Sequence, residues 1–345
     1  MYDIRDFRSD TVTRPTIEMR EIFIDAAVGD DVFNDDPSVH QLQDRVASML
    51  GKEAALFVPS GTMSNLIGIM LSCRPGDELL CEGNSHIFHY EQGGYAQIAG
   101  VAIRTIETGD GVVTVPHLEQ LGVRPDDIHY PRTRLVTLEN THNRGGGKIT
   151  PLETITEVCD WAHERGLRTH LDGARIWNTH LATGIELSRL AEPFDTVNVC
   201  FSKGLGAPVG SIISGSHEDI QQARRFRKVL GGGMRQAGIL AAAATYALDN
   251  HLDGMIADHM NATRLAEVAA EIEHLSLPLG MPETNIVLFD VDPGWGTAGD
   301  LVQKLASVGV LMLAIGPQRV RAVTHLDLTS EDTEVAIEAI RGAMA

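Results

Sequence analysis

The sequence predicts an α/β protein: a large domain built on a mostly parallel seven-stranded sheet flanked by helices, followed by a smaller C-terminal α/β domain. Seven runs of strand character, at 55–58, 78–81, 101–106, 135–138, 167–171, 197–201 and 211–214, are mostly separated by helical patterns. Such alternation buries a parallel sheet between helical layers. After helical patterns at 234–252 and 255–274, a strand run at 285–291 opens a second β/α series. The expected division is an N-terminal arm over 1–16, a large domain over 17–253 and a small domain over 254–345.

In chain order, residues 1–16 form a polar arm with the turn and cap formers Arg8-Ser9-Asp10-Thr11, expected to reach across to something else because it has little apolar surface to dock. Pro15 starts a helix through about Ala27, since proline suits the first helical turn. Ser38 is the expected N-cap of a helix whose Val39, Leu42, Val46 and Met49 share one face and which stops at Gly51. Residues 55–58 read as a strand, Ser60-Gly61-Thr62 as a tight turn, and 63–73 as a helix ended by Pro75-Gly76. In parallel sheets ligands bind beyond the carboxyl ends of the strands, which places Ser60, Asp172 and Lys203 in one cleft. The final helix opens on Thr329 and Asp332, a reciprocal cap.

Composition narrows the function. The 345 residues include 43% hydrophobic and 22% charged side chains, the balance of a folded chain. A formal charge of -19, from 28 Lys and Arg against 47 Asp and Glu, argues against a nucleic-acid groove or an anionic membrane surface. The first residues lack an apolar leader core, and no run approaches the roughly 20 apolar residues of a membrane span; a cytoplasmic location is expected. Cys73, Cys81, Cys159 and Cys200 form no Cys-x-x-Cys pair and read as buried thiols.

Three strand ends carry the chemistry. The run 197–201 leads into Ser202-Lys203-Gly204, and glycines at 204, 206 and 210 with Pro208 forbid a helix there. A lysine held against apolar neighbours loses hydration and becomes a nucleophile toward an aldehyde, although a strand-end lysine also reaches water easily. Ser60-Gly61-Thr62 at a strand-to-helix turn combines free amides, hydroxyls and the helix dipole into a phosphate site, or serves as a plain N-cap. Asp172, in His170-Leu-Asp172-Gly-Ala-Arg175, either pairs with Arg175 or keeps a pyridine nitrogen protonated. Phosphate turn, aspartate and lysine together suit pyridoxal phosphate. Gly145-Gly-Gly-Lys148 and Gly204-Leu-Gly206 fail as P-loop and dinucleotide motifs.

The chain resembles the L-threonine aldolases of the pyridoxal-phosphate fold type I superfamily, the β-eliminating lyase/threonine aldolase family. The matching stretches are Arg8-Ser-Asp-Thr-Val-Thr13, Pro59-Ser-Gly-Thr62, His86-Ile-Phe, Leu138-Glu-Asn-Thr-His-Asn143, His170-Leu-Asp-Gly-Ala-Arg175, Ser202-Lys-Gly-Leu-Gly-Ala-Pro-Val-Gly-Ser211 and Val323-Thr-His-Leu-Asp327. They span nearly the whole chain. The resemblance implies Lys203 as the Schiff-base lysine, Asp172 as partner of the pyridine nitrogen, Ser60, Gly61 and Thr62 in the phosphate cup, and Ser202 and Arg175 beside the cofactor. It implies that His86 stacks on the cofactor ring, and that Ser9, Arg175 and Arg321 hold the substrate carboxylate. His129 matches a family histidine near the substrate hydroxyl, and Arg235 reaches a phosphate, in its own chain or in a neighbouring subunit.

The implied reaction is retro-aldol cleavage of L-threonine or L-allo-threonine to glycine and acetaldehyde, with His86 or His129 as the base. β-Elimination or transamination on the same cofactor is the alternative. The implied assembly is a homo-oligomer, a dimer of dimers. No metal is expected: His86-x-x-His89 has helical ligand spacing but no third ligand follows.

Overall fold

The computed structural model describes residues 4–345; Met1, Tyr2 and Asp3 of the expected arm lie outside the described residues. The larger sheet holds β1 (Ala54–Val58), β2 (Glu78–Glu82), β3 (Ala102–Ile106), β4 (Thr133–Glu139), β5 (Arg168–Gly173), β6 (Thr196–Cys200) and β7 (Ser211–Gly215). Their order is β1-β7-β6-β5-β4-β2-β3. Only β7 runs antiparallel to its neighbours, β1 and β6; the other pairs are parallel. Residues of β2, β6 and β7 are buried along their whole length, including the polar Glu78, Glu82, Asn198 and Ser211.

The helices start slightly off expectation, for local reasons. Helix α1 covers Ile17–Asp25 and starts where the Thr16 hydroxyl accepts from the Met19 amide, two residues beyond Pro15. Helix α2 (Pro37–Leu50) is capped by Asp36, whose carboxylate accepts from the Val39 amide at 3.1 Å. The expected cap, Ser38, lies inside the helix and donates to the Ala27 carbonyl instead. Pro37 fills the first turn, where its missing N–H costs nothing, so the cap falls one residue before it. The helix stops at Gly51, whose φ of +63° is left-handed.

Helix α3 (Gly61–Ser72) lies against β5 because Gly68 has no side chain: a Cβ there would come within 2.5 Å of the His170 ring. That close approach carries Asn65, on the preceding turn, over Asp172 at the end of β5.

Beyond α4 (Gly238–Asn250), α5 (Met255–Glu271) packs on a four-stranded antiparallel sheet. It contains β8 (Ile286–Val291) and β9 (Arg319–Val323), and α6 (Ser330–Met344) covers it with the expected Thr329/Asp332 cap. This sheet has its own core, centred on Phe289, Leu301, Val320 and Ile337.

The arm departs from expectation. Phe7 is fully buried in that second core, and Arg5–Asp6 pairs with Val310–Leu311 as a parallel strand. One apolar side chain suffices to anchor it, because the backbone pairing directs Phe7 inward. The arm then crosses to the larger unit of its own chain, where the Thr13 hydroxyl donates to the Lys203 carbonyl at 2.9 Å. All four cysteines are buried and unbonded to one another, and burial pushes the Cys73, Cys81 and Cys159 thiols up to about 12. Among the described residues, no helix is long and apolar enough to cross a membrane.

Candidate active site

The strand β6 ends at Cys200, and the chain turns back through Gly210 to start β7. Two glycines make the turn possible. Gly206 has φ +76°, and Gly210 has φ +121° with its Cα so close to Phe57 that a Cβ would lie 2.6 Å from the ring. The turn is closed by the Gly206 amide donating to the Lys203 carbonyl at 2.8 Å. Lys203 thereby borders two adjoining pockets, of about 150 and 280 Å³, which share Thr11, His86 and Lys203.

The smaller pocket has a phosphate-shaped end and a carboxylate end. Ser60 is the N-cap of α3, its hydroxyl accepting from the Met63 amide at 3.2 Å. Gly61 and Thr62 then present the first amides of the helix, which have no intrahelical acceptor. Gly61 cannot be larger: a Cβ would stand 2.7 Å from Cys200 Sγ. Ser202 lines the same pocket. At the other end Asp172 is 2% exposed and accepts from Asn65 at 2.8 Å, Asn198 at 3.0 Å and the Ala174 amide at 3.2 Å. Burial opposes its ionisation, but the fields of His86 and Lys203 and the Asn65 hydrogen bond outweigh burial and hold the carboxyl below its ordinary range.

The Asp172–Arg175 ion pair weighed from the sequence does not form. Arg175 is clamped by Asp10 instead, Nε to Oδ2 at 2.7 Å and Nη2 to Oδ1 at 2.6 Å. The fork geometry of guanidinium favours this bidentate arrangement. Burial works against Asp10, yet the Arg175 charge and hydrogen bonds hold its carboxyl well below the usual range. Asp172 is left with neutral amide donors and no ion-pair partner among the described residues, so a protonated ring nitrogen fits it.

The larger pocket carries Ser9, Arg175 and Arg321 together with Tyr90, Asn143 and Arg144. Arg321 lies on β9 with 7% exposure. Its Nη1 donates to the Arg8 carbonyl at 3.0 Å and its Nη2 to Asn143 Oδ1 at 2.9 Å, while Nε has no acceptor among the described residues. Burial, followed by the like charge of Arg175, lowers it to about 10 despite the pull of Asp10. It is a buried cation facing a pocket with no carboxylate hydrogen-bonded to it.

His86 opens a short helix on the rim of both pockets, its backbone amide donating to Glu139 Oε2 at 2.6 Å and its Nδ1 lying 2.9 Å from Glu91 Oε1. Burial disfavours the charged imidazole, but the Glu91 hydrogen bond and the fields of Asp172, Glu91 and Glu139 prevail, and its pKa lies above the ordinary value. His89 turns away, its Nε2 2.8 Å from the Gly83 carbonyl.

Two expected site residues are not brought into the cleft of this chain. His129 sits in an exposed loop with Nδ1 2.6 Å from Asp127, because no strand or core residue anchors that turn. Arg235 is 74% exposed at its side chain and lies 3.5 Å from Asp30. Conversely, Asp10, Asn65, Glu91, Asn143 and Asn198 lie at the site, and for all but Asn65 nothing local in the sequence gives them a role. Asn65 had a usable signal, since it lies four residues after Gly61 on the same helix face.

Comparison with known proteins places these features in a family. A family model described as beta-eliminating lyase matches residues 6–293. A probable low-specificity L-threonine aldolase of Arabidopsis thaliana is 43% identical over 337 residues, covering 96% of this chain and 95% of that relative. A low specificity L-threonine aldolase of Escherichia coli is 42% identical over 333 residues, covering 96% and 97%. The solved structure of a Leishmania major threonine aldolase shares the fold with a TM-score of 0.83 over 99% of each chain, at 19% identity.

Proposed function

Because the chain belongs to the β-eliminating lyase family, and within it to the low-specificity L-threonine aldolases, we propose that it is a carbon–carbon lyase that cleaves L-threonine and L-allo-threonine to glycine and acetaldehyde. Its cofactor is pyridoxal 5'-phosphate. The residues fit that group: Lys203 for covalent attachment, Asp172 for the ring nitrogen, and the Ser60–Thr62 turn with Ser202 for the phosphate. When bound, the cofactor supplies an electron sink for the pair released as the Cα–Cβ bond breaks. The chain's part is to aim that bond and to manage the proton. Arg321, with Ser9 and Arg175, grips the substrate carboxylate, and fixing the carboxylate fixes the torsion about Cα. His86, on the rim shared by both pockets, takes the β-hydroxyl proton.

The observation that carries the reading is the Arg321 guanidinium, buried without an ion-pair partner beside a pocket that also contains Lys203. Incubation of the purified protein with each threonine epimer tests it. Acetaldehyde and glycine are the expected products; ammonia and a keto acid would instead establish β-elimination.

We further propose that 17–253 and 254–345 act as two domains, since each range holds its own sheet and core. The protein works in the cytoplasm as a homo-oligomer, a dimer of dimers, in which the outward-facing Arg235 and His129 complete a neighbour's cleft. Light scattering tests the assembly, and a fully active monomer would remove both residues from the site.

A further inference from the structure

Asn65 stands between three ionisable groups. Its Oδ1 lies 3.1 Å from His170 Nε2, and its Nδ2 lies 2.8 Å from both Asp172 Oδ2 and Glu91 Oε1. Turning the amide over would aim its oxygen at two carboxylate oxygens, so Nδ2 must donate to both. His170 agrees with this polarity. Its Nδ1 lies 2.8 Å from the Thr196 hydroxyl, and burial, working against the field of Asp172, pushes the ring down to about 4. The neutral ring therefore takes the Thr196 hydrogen on Nδ1 and gives its own, from Nε2, to Asn65. The chain of donors ends at Glu91 Oε1, which also faces His86 Nδ1.

We propose that Glu91 is a positioning residue: hydrogen-bonded to His86 Nδ1 and braced by Asn65, it fixes the orientation and tautomer of the imidazole so that Nε2 is the atom offered to the substrate proton. Nε2 of His86 has no hydrogen-bond partner among the described residues, and the ring borders both pockets. Glu91 is 7% exposed and lies behind the pockets rather than lining them, so it acts through His86 and touches no substrate. The same amide joins His86, through Glu91, to Asp172, which couples the base to the carboxylate under the cofactor site.

Several other charged groups act on His86. Asp172 and Glu139 lie on its protein side, with Glu139 held by the His86 backbone amide. Lys203, Arg175 and Arg321 face it across the pockets, and Tyr90, approached by Arg144, packs 5.5 Å from its ring. Of these groups Glu91 alone hydrogen-bonds the ring, so it acts through a hydrogen bond and a field together, whereas Asp172 and Glu139 act through their fields alone. Burial raises the Glu91 carboxyl against the hydrogen bond from His86. The field of Asp172 raises the carboxyl further, while the Asn65 hydrogen bond and the His86 charge favour its ionised form.

The inference rests on the aldolase reading only for the identity of the proton moved. Diethylpyrocarbonate acylates neutral imidazole, and mapping the His86 peptide in the cofactor-free protein against pH gives the midpoint of His86 without any turnover. The parent midpoint should lie above that of ordinary histidine. Glu91→Gln should lower it by about one pH unit, a tenfold loss of proton affinity. In the loaded enzyme the acid limb of kcat/KM should move down with it, while KM for threonine changes by less than about twofold, since the carboxylate grip is untouched. Glu91→Ala, which removes the hydrogen bond as well as the charge, should shift the midpoint in the same direction and lower kcat further. A parent midpoint at or below the ordinary value overturns the proposal without any variant. So does an unmoved midpoint and acid limb in either variant. Failure of the parent to cleave threonine would refute the aldolase reading, while the acylation midpoints would still decide whether Glu91 controls His86.

Discussion

Replacing Arg321 with leucine should separate binding from folding. The guanidinium is 7% exposed, its two fixed contacts are to neutral oxygens of Arg8 and Asn143, and its Nε has no acceptor among the described residues. The substrate carboxylate is the anion it lacks. A charge-assisted contact of that kind contributes about 1.5–3 kcal/mol, which corresponds to a roughly 10- to 150-fold fall in kcat/KM for L-threonine. Because the same contact aims the scissile bond, KM should rise and kcat should fall together. Stability should respond differently. Leucine removes a buried charge that burial and Arg175 already disfavour, which offsets the cost of leaving the Arg8 and Asn143 oxygens without that donor beside an open pocket. The variant should therefore keep its cofactor absorbance and melt near the parent temperature. The assay is acetaldehyde release against threonine concentration, with thermal melting on the same samples. A variant with parental kcat/KM would refute the reasoning and shift attention to Arg175, whose Nη1 is not engaged by Asp10.

Asp172→Asn should retain bound cofactor while losing most turnover, because an amide cannot keep a ring nitrogen protonated; near-parental rates at full cofactor content would reduce Asp172 to a structural role. Borohydride reduction of the loaded protein followed by peptide mapping should place the adduct on Lys203, and recovery on any other lysine would sink that assignment. The buried His170 sets an acid limit on stability. Its folded state resists the proton until about 4 whereas the unfolded chain takes it near 6.5, so stability should decline as pH falls between those values by about 3 kcal/mol. Urea midpoints measured across that window should fall in the parent and decline less steeply in His170→Asn; parallel curves would mean that His170 titrates normally.

The strands and the charged anchors of the site were legible in the sequence because both obey local rules. The buried strands carry short apolar stretches, and Ser60, Asp172 and Lys203 stand at or just beyond their ends. The amide network was not legible, since its meaning depends on partners far away in the chain. Asn65 and Asp172 are 107 residues apart, and Asp10 and Arg175 are 165 apart. Asp10 is visible in the Arg8-Ser-Asp-Thr stretch but reads as a turn former, because nothing local indicates that an arm will run under a guanidinium. His129 and Arg235 fail in one chain for a related reason: each is an exposed side chain whose placement in a cleft requires a surface this chain does not itself supply. The expected Ser38 cap falls two residues late because Asp36 caps equally well and Pro37 decides between them.

Phe7 is sunk in one core, Asp10 pairs with the Arg175 guanidinium at the cleft, and the Thr13 hydroxyl donates to the Lys203 carbonyl. The opening residues of the chain are thus a strap buckled at both units. A single proteolytic cut between Phe7 and Asp10 would free the strap from the second core, while Asp10 and Thr13 would stay on the chain that carries Arg175 and Lys203. Phe7 and Thr13 lie six residues apart, so the small unit and the turn that carries Lys203 are tied by a short length of chain.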